Sequence, residues 1–141
     1  MAERAARLAA RRARGAASRL AGRRRELIAA LMLMAKGYRI LGFRLKTPQG
    51  EIDLLAQRGQ VLAVVEVKSR ASREAALEAV SRAQVQRLMR AGEALAARRP
   101  DRLRLNVRLD LVALAPRAWP LHIPDAWRDD GRGQRGHTGD P

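Results

Sequence analysis

Gly50-Glu51-Ile52-Asp53-Leu54-Leu55-Ala56-Gln57-Arg58-Gly59-Gln60-Val61-Leu62-Ala63-Val64-Val65-Glu66-Val67-Lys68 reads as a β-hairpin. Two short apolar arms, the second rich in valine, flank Arg58-Gly59, which supplies a polar, glycine-containing reversal between Gln57 and Gln60. With Gln57 paired to Gln60 across a two-residue turn, Glu51 lies opposite Glu66 and Asp53 opposite Val64. Side chains alternate along a strand, so Glu51, Asp53, Glu66 and Lys68 all project from one face of the ribbon. Like charges on one sheet face repel, and carboxylates drawn out of water by apolar neighbours incur a desolvation penalty as well. A divalent cation removes both costs. Magnesium typically takes one or two protein carboxylates and completes its shell with water and phosphate oxygens. Lys68, two residues after Glu66 on the same face, would offer positive charge to a water nucleophile or a phosphate. That chemistry is metal-assisted phosphodiester hydrolysis. A Glu-x-Lys at a strand end also fits a plain cross-strand ion pair on a solvated edge, so Asp53 on the same face carries much of the case. Lysine at position 68 also stands out in a chain with three lysines and twenty-six arginines. A compact ammonium suits a crowded metal site better than a planar guanidinium.

With 141 residues there is room for one domain of ordinary size. Alanine supplies much of the 47% hydrophobic content and aromatic residues only 3%, so the core falls to leucine, valine and isoleucine. The absence of cysteine excludes disulfides, thiol catalysis and cysteine-ligated zinc, and His122 and His137 are too few for a histidine-built metal site. The net charge of +15 is uneven, with nine arginines and one acid in residues 1–25 and a balanced stretch in residues 116–141. Such a surplus points to a polyanion, with nucleic acid ahead of a membrane surface because no long apolar helix face accompanies the charge. No stretch reaches the length of a transmembrane span, and no apolar segment follows the N-terminal arginines as a secretory signal requires. A soluble, cytoplasmic protein is expected.

Three regions follow from the chain order. Residues 1–19 alternate alanine with arginine and form a basic arm, frayed when isolated by so many like charges. Residues 20–128 hold the domain, and the glycine-rich, charged residues 129–141 are expected to be disordered. Leu27, Leu31 and Met34 form one stripe of a helix over about residues 20–36, stopped at Gly37. Glu26, the only acid of that helix, reads first as a solvated partner of neighbouring arginines. A strand from Tyr38 and a turn at Thr47-Pro48-Gln49-Gly50 lead into the hairpin. After Lys68 a polar link precedes one long alanine-rich helix to about Arg99, stopped by Pro100, with Gln84 and Arg87 near its start facing the acidic hairpin or solvent. Residues 103–114 alternate as a half-buried strand, with Leu105, Val107, Leu109 and Leu111 inward and Asn106, Arg108 and Asp110 outward. Trp119 and Trp127 are expected to anchor an irregular C-terminal segment, though either could stack on a base.

The order helix, three strands, helix, strand, with Asp53 on the second strand and Glu66-x-Lys68 on the third, resembles the PD-(D/E)XK nuclease fold. At finer grain it resembles the bacterial YraN family, which is similar to archaeal Holliday-junction resolvases. The residues that carry the resemblance are Gly37-Tyr38-Arg39-Ile40-Leu41, Gly50-Glu51-Ile52-Asp53-Leu54-Leu55, Val65-Glu66-Val67-Lys68-Ser69-Arg70, Val80 with Arg87-Leu88, Arg108-Leu109-Asp110-Leu111-Val112 and His122-Ile123-Pro124-Asp125-Ala126-Trp127. They span roughly residues 22–128, and several separated motifs in order are far more specific than any one. The resemblance implies an α/β fold: a restriction-endonuclease-like αβββαβ core with a mixed sheet flanked by helices. It implies that Asp53 and Glu66 bind the metal, Mg2+ or Mn2+, and that Lys68 orients or activates water and steadies the phosphate. Glu26 matches a helix glutamate that approaches the metal in resolvase-like relatives, and Gln84, with lysine in the closest family pattern, falls where related nucleases face the site. Arg70 and Arg87 are the accompanying nucleic-acid contacts. Glu51 either touches metal or braces Asp53. The link from Lys68 to Val80 is shorter than the family's usual loop, and the arginine-rich arm has no clear counterpart.

The expected activity is therefore metal-dependent hydrolysis of nucleic acid, DNA favoured and branched DNA by resemblance, with a homodimer expected because a junction presents two symmetric strands. The alternatives are a nucleic-acid-binding module that keeps the nuclease fold without cutting, and a basic partner of ribosomal RNA or of an acidic protein.

Overall fold

The computed structural model describes residues 1–99 and 104–128. Their elements are α1 (Ala2–Ala35), β1 (Arg39–Thr47), β2 (Gly50–Arg58), β3 (Val61–Ser69), α2 (Arg73–Glu78), α3 (Arg82–Ala97), β4 (Asn106–Leu114) and β5 (Leu121–Ile123). The strands form one sheet in the order β1-β2-β3-β4-β5. The first three make an antiparallel meander, β4 lies parallel to β3, and β5 pairs antiparallel with β4. This mixed five-stranded sheet with flanking helices is of the α/β class and has the restriction-endonuclease-like core that the order of motifs implied. The tail 129–141 and the Pro100 helix stop fall outside the described residues.

In the hairpin, Arg58 pairs with Val61 and Gln57 with Leu62, so the loop is Gly59-Gln60 and the register is displaced by two residues from the expected one. Gly59, at φ +58, supplies the left-handed turn position that a side chain resists. Because the displacement is even, the side chains of the paired residues 54–58 and 61–65 keep their faces.

Two clusters cover the central strands, and a third packs Leu111 and Ala113 of β4 with Ala76 of α2. Alternation sends Leu54, Ala56, Ala63, Val65 and Val112 against α1, which meets them with Ala29, Ala30 and Leu33. The other face carries Leu55, Leu62, Val64 and Leu109 against Leu88 and Ala91 of α3, and Ile52, beyond the end of the β2–β3 ladder, joins that cluster out of alternation. At the end of α1, Tyr38 N–H donates to the Leu33 carbonyl and Gly37 N–H to that of Met34, both at 3.0 Å, with Gly37 at φ +91. This is the Schellman stop that the glycine announced.

Several expectations are corrected. The helix expected from about residue 20 starts at Ala2, because alanine and arginine are strong helix formers and local propensity outweighs repulsion between dispersed charges. It docks through Ala29, Ala30 and Leu33, not through Leu27, Leu31 and Met34, which stay 53%, 53% and 47% exposed. Alanines allow the helix axis to approach the sheet closely, and the leucine stripe lies about a third of a turn away. The single long helix after β3 is two, since Ser81 interrupts it and its hydroxyl accepts from Gln84 N–H at 3.1 Å as the cap of α3. Finally, β4 is covered on both faces: Asp110 is fully buried, and residues 121–123, expected to be irregular, add a fifth strand. Trp127 anchors its segment by donating Nε1–H to the Leu77 carbonyl at 3.2 Å, whereas Trp119 is 93% exposed and anchors nothing.

Candidate functional site

The β2–β3 ladder ends at the pair Leu54 and Val65. One step further along each strand stand Asp53 and Glu66. Instead of a ladder carbonyl, the Asp53 carboxylate Oδ2 accepts the Val67 N–H at 3.0 Å, which fixes the acid at the point where the strands part. Glu66 is buried, 5% exposed, and its Oε1 lies 3.4 Å from Lys68 Nζ. A cavity of about 230 Å³ opens over them, lined by Gly22, Arg25, Glu26, Asp53, Glu66, Val67 and Lys68. The four residues expected to be catalytic thus share one cavity.

Burial sets the electrostatics. Loss of water pushes the Glu66 carboxyl up to about 7, and the neighbouring Asp53 charge adds to this while Lys68 only partly offsets it. Asp53 is likewise raised, again by burial first, with the Val67 N–H and Lys68 pulling the other way. Two carboxylates that resist simultaneous ionisation are short of positive charge, and a hard divalent cation fits that deficit. Among the described residues no three histidine or carboxylate side chains gather into a ready-made metal cage. Two carboxylates are nevertheless the protein donor number magnesium uses when water and phosphate oxygens supply the rest.

Glu26 reaches the cavity because of the face α1 presents. Its position continues the buried row of Ala29, Ala30 and Leu33, so docking through small residues is what carries the glutamate over the ends of β2 and β3. Its partner is Arg44 of β1, not an arginine of its own helix: Arg44 Nη1 donates to Glu26 Oε2 at 2.5 Å. Partial burial raises the Glu26 carboxyl and Arg44 counters it. Arg44 itself holds a left-handed backbone, φ +46, an uncommon conformation for a residue with a side chain.

Glu51 is exposed and outside the cavity lining, yet near enough for its charge to raise both Glu26 and Asp53. Gln84 is half-buried in the first turn of α3, and neither it nor the exposed Arg87 lines the cavity. Arg70, just past β3, is exposed and turns its guanidinium onto the Ser69 carbonyl at 2.8 Å.

Sequence reasoning missed a second polar centre. Asp110 accepts from Arg108 Nε at 2.8 Å and Nη2 at 2.8 Å, and from Asp125 N–H at 3.0 Å; His122 Nε2 lies 2.8 Å from its Oδ2. Lys36 Nζ donates to His122 Nδ1 at 2.9 Å, so the imidazole carries its proton on Nε2 and gives it to Asp110. Burial alone would raise the Asp110 carboxyl, but the bonds from His122, Arg108 and Asp125 outweigh it and hold it below the usual range. Neither Asp110 nor His122 lines the carboxylate cavity; the network ties β5 and the end of α1 to β4. The alternation of β4 put Arg108 and Asp110 on what read as a solvated face, and only the distant His122 reveals otherwise.

Comparison with known proteins identifies the family. The model of the uncharacterised protein family UPF0102 matches residues 25–114. A "UPF0102 protein" of Caulobacter sp. (strain K31) is 65% identical over 125 residues, 89% of this chain and 90% of the relative. A "UPF0102 protein" of Caulobacter vibrioides (strain NA1000 / CB15N) is 65% identical over 117 residues, 83% of this chain and 94% of the relative. One from Parvibaculum lavamentivorans is 50% identical over 116 residues, 82% and 87% of the two chains. The matched segment contains Glu26, Asp53, Glu66 and Lys68, and the chain belongs to the UPF0102 family, which is the YraN family.

Proposed function

We propose that the protein is a metal-dependent nucleic-acid phosphodiester hydrolase, an endonuclease of the PD-(D/E)XK type acting on DNA. One observation carries the reading: a buried carboxylate, Glu66, and a half-buried one, Asp53, both with raised proton affinity, share a cavity with Lys68 and Glu26 where the central strands part. Asp53 and Glu66 would hold Mg2+ or Mn2+, which when bound supplies Lewis-acid charge at the phosphate and acidifies water. The remaining work falls to the chain. Asp53 is fixed by the Val67 N–H, so its carboxylate needs little reorganisation to receive a cation. Lys68, 3.4 Å from Glu66, is placed to orient a water or to neutralise charge developing on a phosphate oxygen. Glu26 is the third carboxylate, available once Arg44 yields it. The arginine-rich start of α1 attracts the polyanion without reading sequence. No described helix is long and apolar enough to cross a membrane, and the reading places the protein in the cytoplasm, working as a homodimer.

The test is cleavage of branched, flapped, single-stranded and duplex DNA with Mg2+, with Mn2+ and with chelator, beside an Asp53→Ala/Glu66→Ala variant. Metal-dependent cutting, lost in the variant by at least about a thousandfold as expected for removal of electrostatic stabilisation, is the predicted result. Equal binding by both proteins without cutting would make the chain a nucleic-acid-binding module.

A further inference from the structure

On α1, residues 33, 29, 26, 22, 19, 15 and 12 recur in alternating steps of four and three, so they occupy one continuous stripe. Its chemistry changes along its length. Leu33 and Ala29 are buried against the sheet, Glu26 borders the carboxylate cavity, and Gly22, Arg19, Gly15 and Arg12 continue the same face toward the N-terminus. The stripe that docks the helix therefore runs on into glycines and arginines.

Beside the carboxylate cavity lies a second one of about 240 Å³, lined by Arg19, Gly22, Arg23, Glu26 and Arg44. Gly22 and Glu26 line both. A methyl group built on Gly22 meets nothing within 4 Å, so the space over this glycine, the passage between the two cavities it lines, is open. A methyl group on Gly15 would stand 3.4 Å from Arg19 Nη1, which shows the guanidinium folded back along the helix over that glycine. Each glycine costs a helix about 1 kcal/mol relative to alanine, a cost spent here on an open face. Three guanidiniums border this second cavity against one carboxylate. Glu26 pairs with Arg44, while Arg19 and Arg23 have no carboxylate partner among the described residues.

We propose that the cavity of Arg19, Arg23 and Arg44 is a phosphate subsite, which takes a second phosphate of the strand whose scissile phosphate lies at Asp53 and Glu66. The proposal rests on the nucleic-acid reading above and adds where the strand runs: along the α1 stripe, away from the sheet. Planar guanidiniums without carboxylate partners match phosphate oxygens in charge and fork geometry. Seven residues of helix separate Arg19 from Glu26, a rise of about 10 Å, so the subsite serves a phosphate one or two nucleotides from the cut. Arg44, strained and tied to Glu26, links the two cavities: a phosphate that draws its guanidinium away frees the glutamate. Unlike the carboxylate cavity, the subsite attracts its anion without a metal.

The experiment measures anisotropy of a fluorescein-labelled branched DNA at several salt concentrations, in Ca2+ and in chelator. Arg19→Gln/Arg23→Gln is expected to weaken binding about tenfold in both media and to lower the slope of log affinity against log salt by about one. Gly22→Leu, which keeps every charge and favours the helix, is expected to weaken binding comparably by filling the passage. Arg14→Gln/Arg24→Gln removes the same charge from the same helix off the stripe, and its expected loss is no more than about twofold, the general effect of net charge. Wild-type protein that binds no DNA overturns the nuclease reading and the subsite together. Wild-type binding with an unaffected Arg19→Gln/Arg23→Gln variant, or with a control pair that loses as much, overturns the subsite alone.

Discussion

Glu66 makes the cost of the carboxylate cavity measurable. Its folded-state pKa of about 7 stands above the ordinary value near 4.5, so the folded protein binds its proton more tightly than the unfolded chain does. This contribution to stability is fully present below about pH 4.5 and is lost as pH rises toward about 7. Glu66→Gln mimics the protonated form. In metal-free buffer it should therefore unfold at higher urea than wild type at pH 8, by on the order of 2–3 kcal/mol, and match wild type near pH 4.5. Added Mg2+ at pH 8 should narrow the gap by stabilising only the wild type. A variant less stable than wild type at pH 8 would mean that Glu66 supports the fold as an ion pair with Lys68, with no deficit for a cation to fill. The acids were legible in the sequence because an even slip of the hairpin register does little harm: displaced by two residues, the hairpin still brings Asp53, Glu66 and Lys68 to one cavity. Arg44 and Asp110 were not legible. The role of Arg44 depends on a left-handed backbone and on a helix 18 residues earlier, and that of Asp110 on a histidine 12 residues later.

Among the elements, α3 shows how closely the sheet's second face is packed. A methyl group on Gly92 would lie 2.6 Å from Val64 Cγ2 and 2.7 Å from Val107 Cγ1, both stiff branched side chains. Two effects oppose each other in Gly92→Ala. Helix propensity favours alanine by about 1 kcal/mol, whereas forcing a methyl group into a filled core costs about 1–3 kcal/mol. The contacts lie well inside van der Waals distance, so the clash wins, and a net loss of about 1–2 kcal/mol is expected in urea unfolding. Adding Val64→Ala should recover part of the loss, a coupling that a mere change of propensity would not show. The two helix faces differed in legibility for a related reason. Hydrophobic size identified the α1 stripe of Leu27, Leu31 and Met34, but close approach selects small residues, and Ala29, Ala30 and Leu33 took the sheet. Sequence periodicity places a helix; it does not rank two candidate faces when the smaller one permits tighter packing. The docked face nevertheless shapes the cavity, since it is the one that brings Glu26 to it.

For the whole molecule, that choice leaves Leu20, Leu27, Ile28, Leu31 and Met34 between 44% and 53% exposed along one side of α1. Their accessible surface amounts to roughly 400–500 Å², about the apolar share of an ordinary interface of some 800 Å² per partner. A second copy of the chain is the occupant that junction resolution would require, because one carboxylate cavity cuts one strand and a junction presents two. The charge distribution sets the orientation. Parallel alignment of two α1 helices would place the nine arginines of residues 1–25 against their equivalents, whereas an antiparallel, two-fold pair centred near Leu27 and Leu31 sends the two arms in opposite directions. Sedimentation equilibrium should therefore report a dimer whose dissociation constant rises at least about a hundredfold in Leu27→Glu/Leu31→Glu, since two buried apolar anchors are replaced by charges. Both positions are exposed in the single chain, so the helical circular dichroism of the variant should be unchanged. A wild-type protein that stays monomeric at high concentration, with and without branched DNA, would remove junction resolution from the reading and leave endonuclease action on simpler DNA, for which one cavity suffices.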